Sequence, residues 1–501
     1  MDRMLAWGWE ALDAKDLARA EDCFRRVLVA APGSHQAWNG LAWTKLSSGE
    51  PELAVEYASR AHELSRRNVE YLNSLGVAYG ETGELELAQS SLRKALKLKP
   101  DFVDALVNLA KVLEKQDQLS AALKICERAY AIDPAFPKLG AALAKMYRQL
   151  GMPERARSLL ETSRGVIDGQ DLVMALADCD FELQGEAAAI ERLRAALSQY
   201  PDWELARGAL AHLLLSTAHW REGWQLYRPQ QSVSLPESLS GKRILLRGEQ
   251  GIGDVLFFLR FAPALRERGA AITLACEKKL LSILSPGDVL EAIREPDEKS
   301  FDFKFRVGDL PLVLASEDTP PAWPLKVTEE ARLSGLGPAP YLGITWRAGT
   351  DLARRREFGN DPGALMKAVA PALIAEALRG WPGTVILLQR GARAGDSAEF
   401  GAAFQGPFHD LSELGDDLAA LLAVLAALDE YVCVSNANVH LLAGLGKTAR
   451  VLIPYPGEWR WMRREGPSPW FPGFAVYRQP QNRDWTSALG RLRADLFSSY
   501  R

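Results

Sequence analysis

Five alanines, Ala20, Ala54, Ala88, Ala122 and Ala156, recur every 34 residues. Two further registers keep the same step: Ala61, Ala95 and Ala129, and the series Gly8, Ala42, Gly76, Ala110 and Ala144. Proline follows it too, with Pro32 two steps before Pro100 and Pro134 one step after it. Registers that share one period make the first part of the chain a tandem array. Glycine or alanine where two helices cross lets their backbones approach, and a bulky side chain there would pry them apart. Proline at the exit stops the second helix, because it has no N–H for the hydrogen-bond ladder.

A 34-residue unit of two helices with these features resembles the tetratricopeptide repeat. Five regular units run from residue 2 to about residue 170, a sixth, offset by one residue, ends at Pro201, and a last helical pair closes with "AHWREGWQLYRPQ". The array is expected to be an α-solenoid over residues 1–228 with a concave face. That face is either a peptide or protein groove or a rigid spacer and self-association surface. Arg25, Arg26, Lys45, Asn73, Asn108 and Lys111 either point into a groove or lie on solvated helix faces.

After a Pro/Ser linker at 229–241 the pattern changes. "KRILLR", "AAITLAC", "YLGITW", "GTVILLQ", "EYVCVS" and "ARVLIP" are short apolar runs with β character. Helical stretches at about 362–379, 415–428 and 438–445 separate the later ones. Strand–helix alternation predicts parallel α/β structure, in a first lobe at 242–335 and a second at 340–483. "GLGPAP" is the expected hinge, and a ligand cleft is expected at the carboxyl ends of the strands.

The first strand runs into "GEQGIGD". Gly248, Gly251 and Gly253 do not have the G-x-G-x-x-G spacing of a dinucleotide fold, and no G-K-[ST] marks a P-loop. They let backbone come close to a ligand or a neighbouring element. Asp254 then begins a helix, either complementing its N-terminus or placing a carboxylate in the cleft.

Together, "GEQGIGDVLFFLRFAPAL", "LGITWRAG" and "VCVSNANVHLLAGLGKTARVLIPYPGEWRWMRREGPSPWFPGFAVYRQPQNRDW" resemble the bacterial tetratricopeptide-linked glycosyltransferases. Their catalytic half is similar to the heptosyltransferases and has the GT-B fold of two Rossmann-like lobes. More distantly, the arrangement is similar to O-linked and N-linked protein glycosyltransferases. The resemblance spans essentially residues 2–497. It implies inverting, metal-independent transfer from a nucleotide-diphosphate sugar, without a resident cofactor, to a protein acceptor selected by the repeats. In that family the acid of the Gly-Asp pair is proposed as general base, which carries over to Asp254 here.

The donor diphosphate needs positive potential and N–H donors. Ser435, Asn436 and Asn438 stand at the start of a helix, and His440 in its first turn is either a phosphate donor or a buried histidine. Arg347, Gly349 and Thr350 follow the second lobe's first strand, and Gln389 and Arg390 end a later one, as expected contacts to phosphate, ribose or base. Trp459, Trp461 and Trp470 either line a sugar pocket or pack their loop onto the domain. Arg354, Arg355 and Arg356 are a solvated charge run or meet an anionic ligand. The helix at 484–501 is expected to cross back to the first lobe. Relatives often carry Val-Asp-Thr where this chain reads Val434-Ser435-Asn436. That departure keeps a second function in view, a non-catalytic scaffold with a degenerate nucleotide-binding half. A third, lipopolysaccharide-type heptosyl transfer, leaves the repeats unexplained.

Composition bounds these readings. The chain has 501 residues, 48% hydrophobic and 25% charged, enough for two to four domains. A formal charge of −4 gives no basic footprint for nucleic acid or anionic lipid. Cys23, Cys126, Cys179, Cys276 and Cys433 lie far apart with no zinc spacing, as expected of reduced thiols. The acidic, helical N-terminus does not read as a signal peptide, and no apolar run reaches the ~20 residues of a membrane span. A cytoplasmic location is therefore expected.

Overall fold

A computed structural model describes residues 1–116, 118–165, 167, 169–227, 235–248, 251–284, 291–293, 296–331, 333, 335–348, 367–393, 395–455, 457–463 and 465–500. They form two compact units, Met1–Ala189 and Ile190–Arg501.

The first unit is a succession of antiparallel helix pairs: α1 (Asp2–Asp13) with α2 (Leu17–Ala30), α3 (His35–Ser48) with α4 (Pro51–Leu64), α5 (Val69–Thr82) with α6 (Leu85–Leu98), α7 (Val103–Lys115) with α8 (Leu119–Ile132) and α9 (Leu139–Gln149) with α10 (Pro153–Thr162). α11 (Gly169–Gln184) packs on α9 and α10. The periodic alanines are the contact points: all five of the Ala20 series and all three of the Ala61 series are fully buried. Gly76 shows why the third register must be small. A Cβ there would sit 2.6 Å from Leu92 Cγ and 3.3 Å from the Ala88 carbonyl. Ser34 and Asn68 cap α3 and α5 through their side chains, and Gly49 and Gly83 end them in the left-handed conformation that favours glycine.

The division between the units does not coincide with the expected boundary at residue 228. It falls within α12 (Glu186–Gln199), so α13 (Glu204–Ser216) and α14 (Trp220–Tyr227) belong to the second unit. The physical reason is aromatic packing. Trp224 is buried edge-on against Trp459 at 5.3 Å, Trp470 at 6.1 Å, Phe258 at 6.2 Å and Phe261 at 6.2 Å. The Arg463 N–H also donates to the Ser216 carbonyl of α13.

The rest of the second unit is α/β. A four-stranded parallel sheet has the order β3 (Glu291–Ile293), β2 (Ala271–Ala275), β1 (Arg243–Arg247), β4 (Phe303–Arg306). A six-stranded parallel sheet has the order β12 (Ala475–Arg478), β11 (Arg450–Ile453), β10 (Glu430–Val434), β5 (Tyr341–Thr345), β8 (Thr384–Leu387), β9 (Phe408–Asp410). Between β5 and β8, β6 (Arg347–Ala348) pairs antiparallel with β7 (Lys367–Ala368).

The strands of the larger sheet read as continuous apolar runs because both faces are covered. Leu342, Ile344, Val385, Leu387, Val432, Val434 and Leu452 face one core, while Ile386, Tyr431, Cys433, Val451 and Ile453 face another shared with the smaller sheet. Two helical expectations are corrected. Among the described residues 367–379 the helix is Pro371–Leu378, beginning where proline suits a first helical position; 362–366 lie outside the described residues. The terminal helix, Thr486–Ser498, does not serve the first lobe: Ala488, Leu489, Leu492 and Leu496 are buried in the second lobe's outer core. Arg493 fixes it there by donating to the Ala377 and Arg379 carbonyls. No helix among the described residues is long and apolar enough to cross a membrane.

Close packing at the repeat crossings sets a test. Gly76→Val should destabilise the first unit by about 1–3 kcal/mol through overpacking. Gly33→Val, where an added Cβ meets nothing within 4 Å, should stay within about 0.5 kcal/mol. Urea denaturation of both variants checks this, and equal effects would contradict the crossing geometry.

Candidate active site

The chain leaves β1 through Gly248, whose N–H donates to the Ala275 carbonyl, and enters the helix Ile252–Leu259, here α15. Val255, Leu256, Phe257, Phe258 and Leu259 are all buried, so this helix is enclosed on every side past its first turn. That first turn packs on the helix Ala437–Gly444 of the second lobe. The contact is made at Gly253, where a Cβ would lie 2.9 Å from His440 Cδ2, 3.3 Å from its Nε2 and 3.4 Å from the Ala437 Cα. Gly251 caps α15 without side-chain help and has open space around it.

Asp254 follows at the edge of this contact. Its side chain remains 41% exposed, and its Oδ1 accepts a 2.5 Å hydrogen bond from Arg460 Nη2. Arg460 is mostly buried, with its guanidinium 4.6 Å from the Phe257 ring centre and 4.8 Å from that of Trp459. Its Nη1 lies 3.5 Å from Glu458 Oε2, and Glu458 in turn contacts Lys367 Nζ. The result is a row of alternating charge, Lys367–Glu458–Arg460–Asp254, drawn from β7, the turn Trp459–Trp461 and α15. Burial, with Arg460 adding to it, pushes the Lys367 ammonium down to about 7 against the pull of Asp254. Burial, reinforced by Arg460, Arg260 and Lys367, holds His440 well below its ordinary value and its imidazole neutral. His440 Nδ1 has no hydrogen-bond partner among the described residues. Arg260 completes the cluster, stacked 4.3 Å from Phe257 and bonded to the carbonyls of Phe257, Pro320 and Trp470.

The other expected site residues fare differently. Gln389 is buried and spends its whole amide on the main chain. Its oxygen accepts from the Trp346 and Arg347 N–H groups, and its nitrogen donates to the Arg347 and Arg390 carbonyls. A nucleotide contact from that side chain is therefore corrected to a structural brace. Arg390 pairs with exposed Asp416 at 3.1 Å, and the Arg347 guanidinium donates to the Gly391 carbonyl. The antiparallel ladder nevertheless sets Arg347 opposite Ala368, one residue from Lys367. Gly349, Thr350, Arg354, Arg355 and Arg356 lie outside the described residues.

At the helix Ala437–Gly444, Asn436 caps the N-terminus by accepting from the Asn438 N–H and donates to Thr345 Oγ1 at 2.6 Å. Asn438 donates to the Tyr431 hydroxyl, 3.1 Å from Thr345 Oγ1. This closed polar network sits beneath the helix start and leaves fewer free donors there than expected. Ser435 Oγ accepts from Trp461 Nε1 at 2.8 Å. Trp459, Trp461 and Trp470 are at most 5% exposed, with Trp461 stacked 4.6 Å from Phe471. They pack the loop, the second of the two readings open to them from the sequence. The sequence reading missed Lys367, Glu458 and Arg460. The signal for two of them was present in "EWRW", where tryptophans flank Arg460 and follow Glu458.

Among repeat residues, Lys45 is buried between Glu21 and Glu50, and Asn108 donates to Asn73 at 2.9 Å. Arg25 and Arg26 lie on a solvated face, paired within α2 to Glu21 and Asp22.

Comparison with known proteins matches tetratricopeptide-repeat models to residues 5–68, 73–137 and 115–179. Protein FlbA of Caulobacter vibrioides is 23% identical over 563 residues, covering 98% of this chain and 89% of its own length. That similarity runs through the repeats and the α/β half alike. Tetratricopeptide repeat protein 37 of Xenopus laevis is 27% identical over 112 residues, 21% of this chain and 7% of its own. Among solved structures, Pseudomonas aeruginosa PilF has 20% identity and a TM-score of 0.36, covering 40% of this chain and 92% of its own. YrrB, described as a tetratricopeptide protein with an unusual peptide-binding site, has 21% identity and a TM-score of 0.30, covering 36% and 95%. The N-terminal helices are thus tetratricopeptide repeats.

Neutral His440 gives a pH signature. The unfolded chain takes up this proton near pH 6.5 and the folded chain only at lower pH, so stability falls as pH drops below about 6.5. Melting temperatures between pH 7 and 5 should therefore decline, and less steeply in His440→Gln. Parallel slopes for the two proteins would contradict the buried neutral imidazole.

Proposed function

We propose that the α/β half has the GT-B arrangement and is an inverting, metal-independent glycosyltransferase. It takes a sugar from a nucleotide-diphosphate donor and passes it to a protein acceptor selected by the repeats. One observation carries this reading: Asp254 is a part-exposed carboxylate at the contact of α15 with the helix Ala437–Gly444, bonded to the part-buried Arg460. In the proposed reaction Asp254 takes the proton of the acceptor nucleophile as the nucleophile bonds to the anomeric carbon. The bond from that carbon to the diphosphate oxygen breaks, and nucleoside diphosphate leaves with the electron pair. Arg460, Lys367 and Arg260 supply the positive potential for the leaving group.

A second reading, a protein-interaction scaffold with a binding-only or inert α/β half, is favoured by a specific observation. The Asp254 carboxylate is already taken up by a 2.5 Å hydrogen bond from a guanidinium, and Gln389, Ser435, Asn436 and Asn438 are engaged within the fold. The repeats suit either reading.

Thermal-shift screening with UDP, GDP, CDP and ADP and their sugars separates them, since a ligand at 100 times its Kd stabilises by about 2.7 kcal/mol. The transferase reading expects one family of nucleotides to raise the melting temperature. It also expects Asp254→Asn to lower donor turnover at least ~100-fold. No stabilisation by any nucleotide favours the scaffold, and unchanged turnover removes Asp254 from the base role.

A further inference from the structure

The Asp254–Arg460 pair is unequal in a way that suggests exchange. Arg460 is 12% exposed and clamped by the Phe257, Phe258 and Trp459 rings, whereas Asp254 is 41% exposed. A guanidinium offers five N–H donors in a planar fork suited to two acceptors at once. Here the described contacts are one short bond to Asp254 and a longer approach to Glu458, and Nε is buried without an acceptor. The arginine is fixed and under-used, and the carboxylate on it is the mobile partner.

We infer that Arg460 is a positioning residue that exchanges partners: Asp254 occupies it in this structure, and an incoming diphosphate displaces Asp254 from it. A diphosphate oxygen pair fits the fork better than the single carboxylate oxygen now bound. The displaced Asp254 loses its hydrogen bond to the guanidinium, and its freed oxygen can accept the proton of the acceptor nucleophile. Donor arrival and activation of the base are then one event, which limits proton abstraction when no donor is present. This inference rests on the transferase reading above, and it adds the rule by which the site is switched on.

A double-mutant cycle tests it on the full-length chain, with inorganic pyrophosphate as the calorimetric probe and UDP, GDP, CDP and ADP beside it. Asp254→Asn should bind about tenfold tighter than wild type, because the competitor for the fork is gone. In Arg460→Met binding should weaken about tenfold, and adding Asp254→Asn to it should bring no gain. A gain that persists in the Arg460→Met background means simple charge relief and overturns the exchange. Because Arg460→Met removes a cation stacked on core rings, carbon NMR of Asp254 in the wild-type chain serves as the second measurement. Its carboxyl resonance should shift when pyrophosphate is added, and an unchanged resonance with bound pyrophosphate overturns the exchange. No binding of any probe to wild type or Asp254→Asn defeats the transferase reading itself.

Discussion

The candidate site depends on the absence of a side chain at Gly253. Helices from two parallel sheets meet there with a histidine ring against bare backbone, and even one added carbon would fall inside van der Waals contact. Because α15 is buried all round beyond its first turn, it has no freedom to retreat. The approach therefore fixes where the next residue, Asp254, stands. The same core extends to the last helical pair through Trp224 and to the loop bearing Arg460 through Trp459. The residue that holds Asp254 is thus seated among rings of α15 and of Trp459, which Trp224 of α14 packs against.

Electrostatics follow from this packing. Arg260 and Arg460 stack near Phe257, and Lys367 lies close enough to lower the protonation of His440 further. Glu458 and Asp254 balance Arg260 and Arg460, while Lys367, pushed down to about 7, adds part of a further positive charge near neutral pH. A buried excess of positive charge is costly unless something anionic shares it. An anionic ligand at the crevice would relieve that cost, which is a physical reason to look for one. The neutral imidazole beside Gly253 fits the same field, since a further cation there would raise the cost.

Much of the fold was legible because its determinants are local. Small residues at a fixed period can only be helix crossings repeated along an array, and Ala20, Ala54 and Ala88 are buried as that requires. β5, β8, β10 and β11 were legible because strands covered on both faces leave long apolar runs. The boundary within α12 was not, because α13 and α14 continue the helical pattern while Trp224 commits them to another core. The terminal helix was misplaced because its apolar positions fit either lobe. At the site, Asp254 was found through its glycines. Gln389 was misread because a polar residue at a strand end looks the same whether it meets a ligand or the neighbouring backbone. Lys367 and Glu458 come together only through tertiary structure, which no spacing in the sequence records.

The central claim is that the surface formed by the starts of α15 and the helix Ala437–Gly444 receives a diphosphate group. Hydrogen–deuterium exchange with and without a nucleoside diphosphate reads this directly. The account predicts slower exchange at residues 252–259, 437–444 and 457–461 on ligand addition, with the repeats unchanged. Protection confined to other segments, with a ligand demonstrably bound, would place the ligand elsewhere and contradict the account.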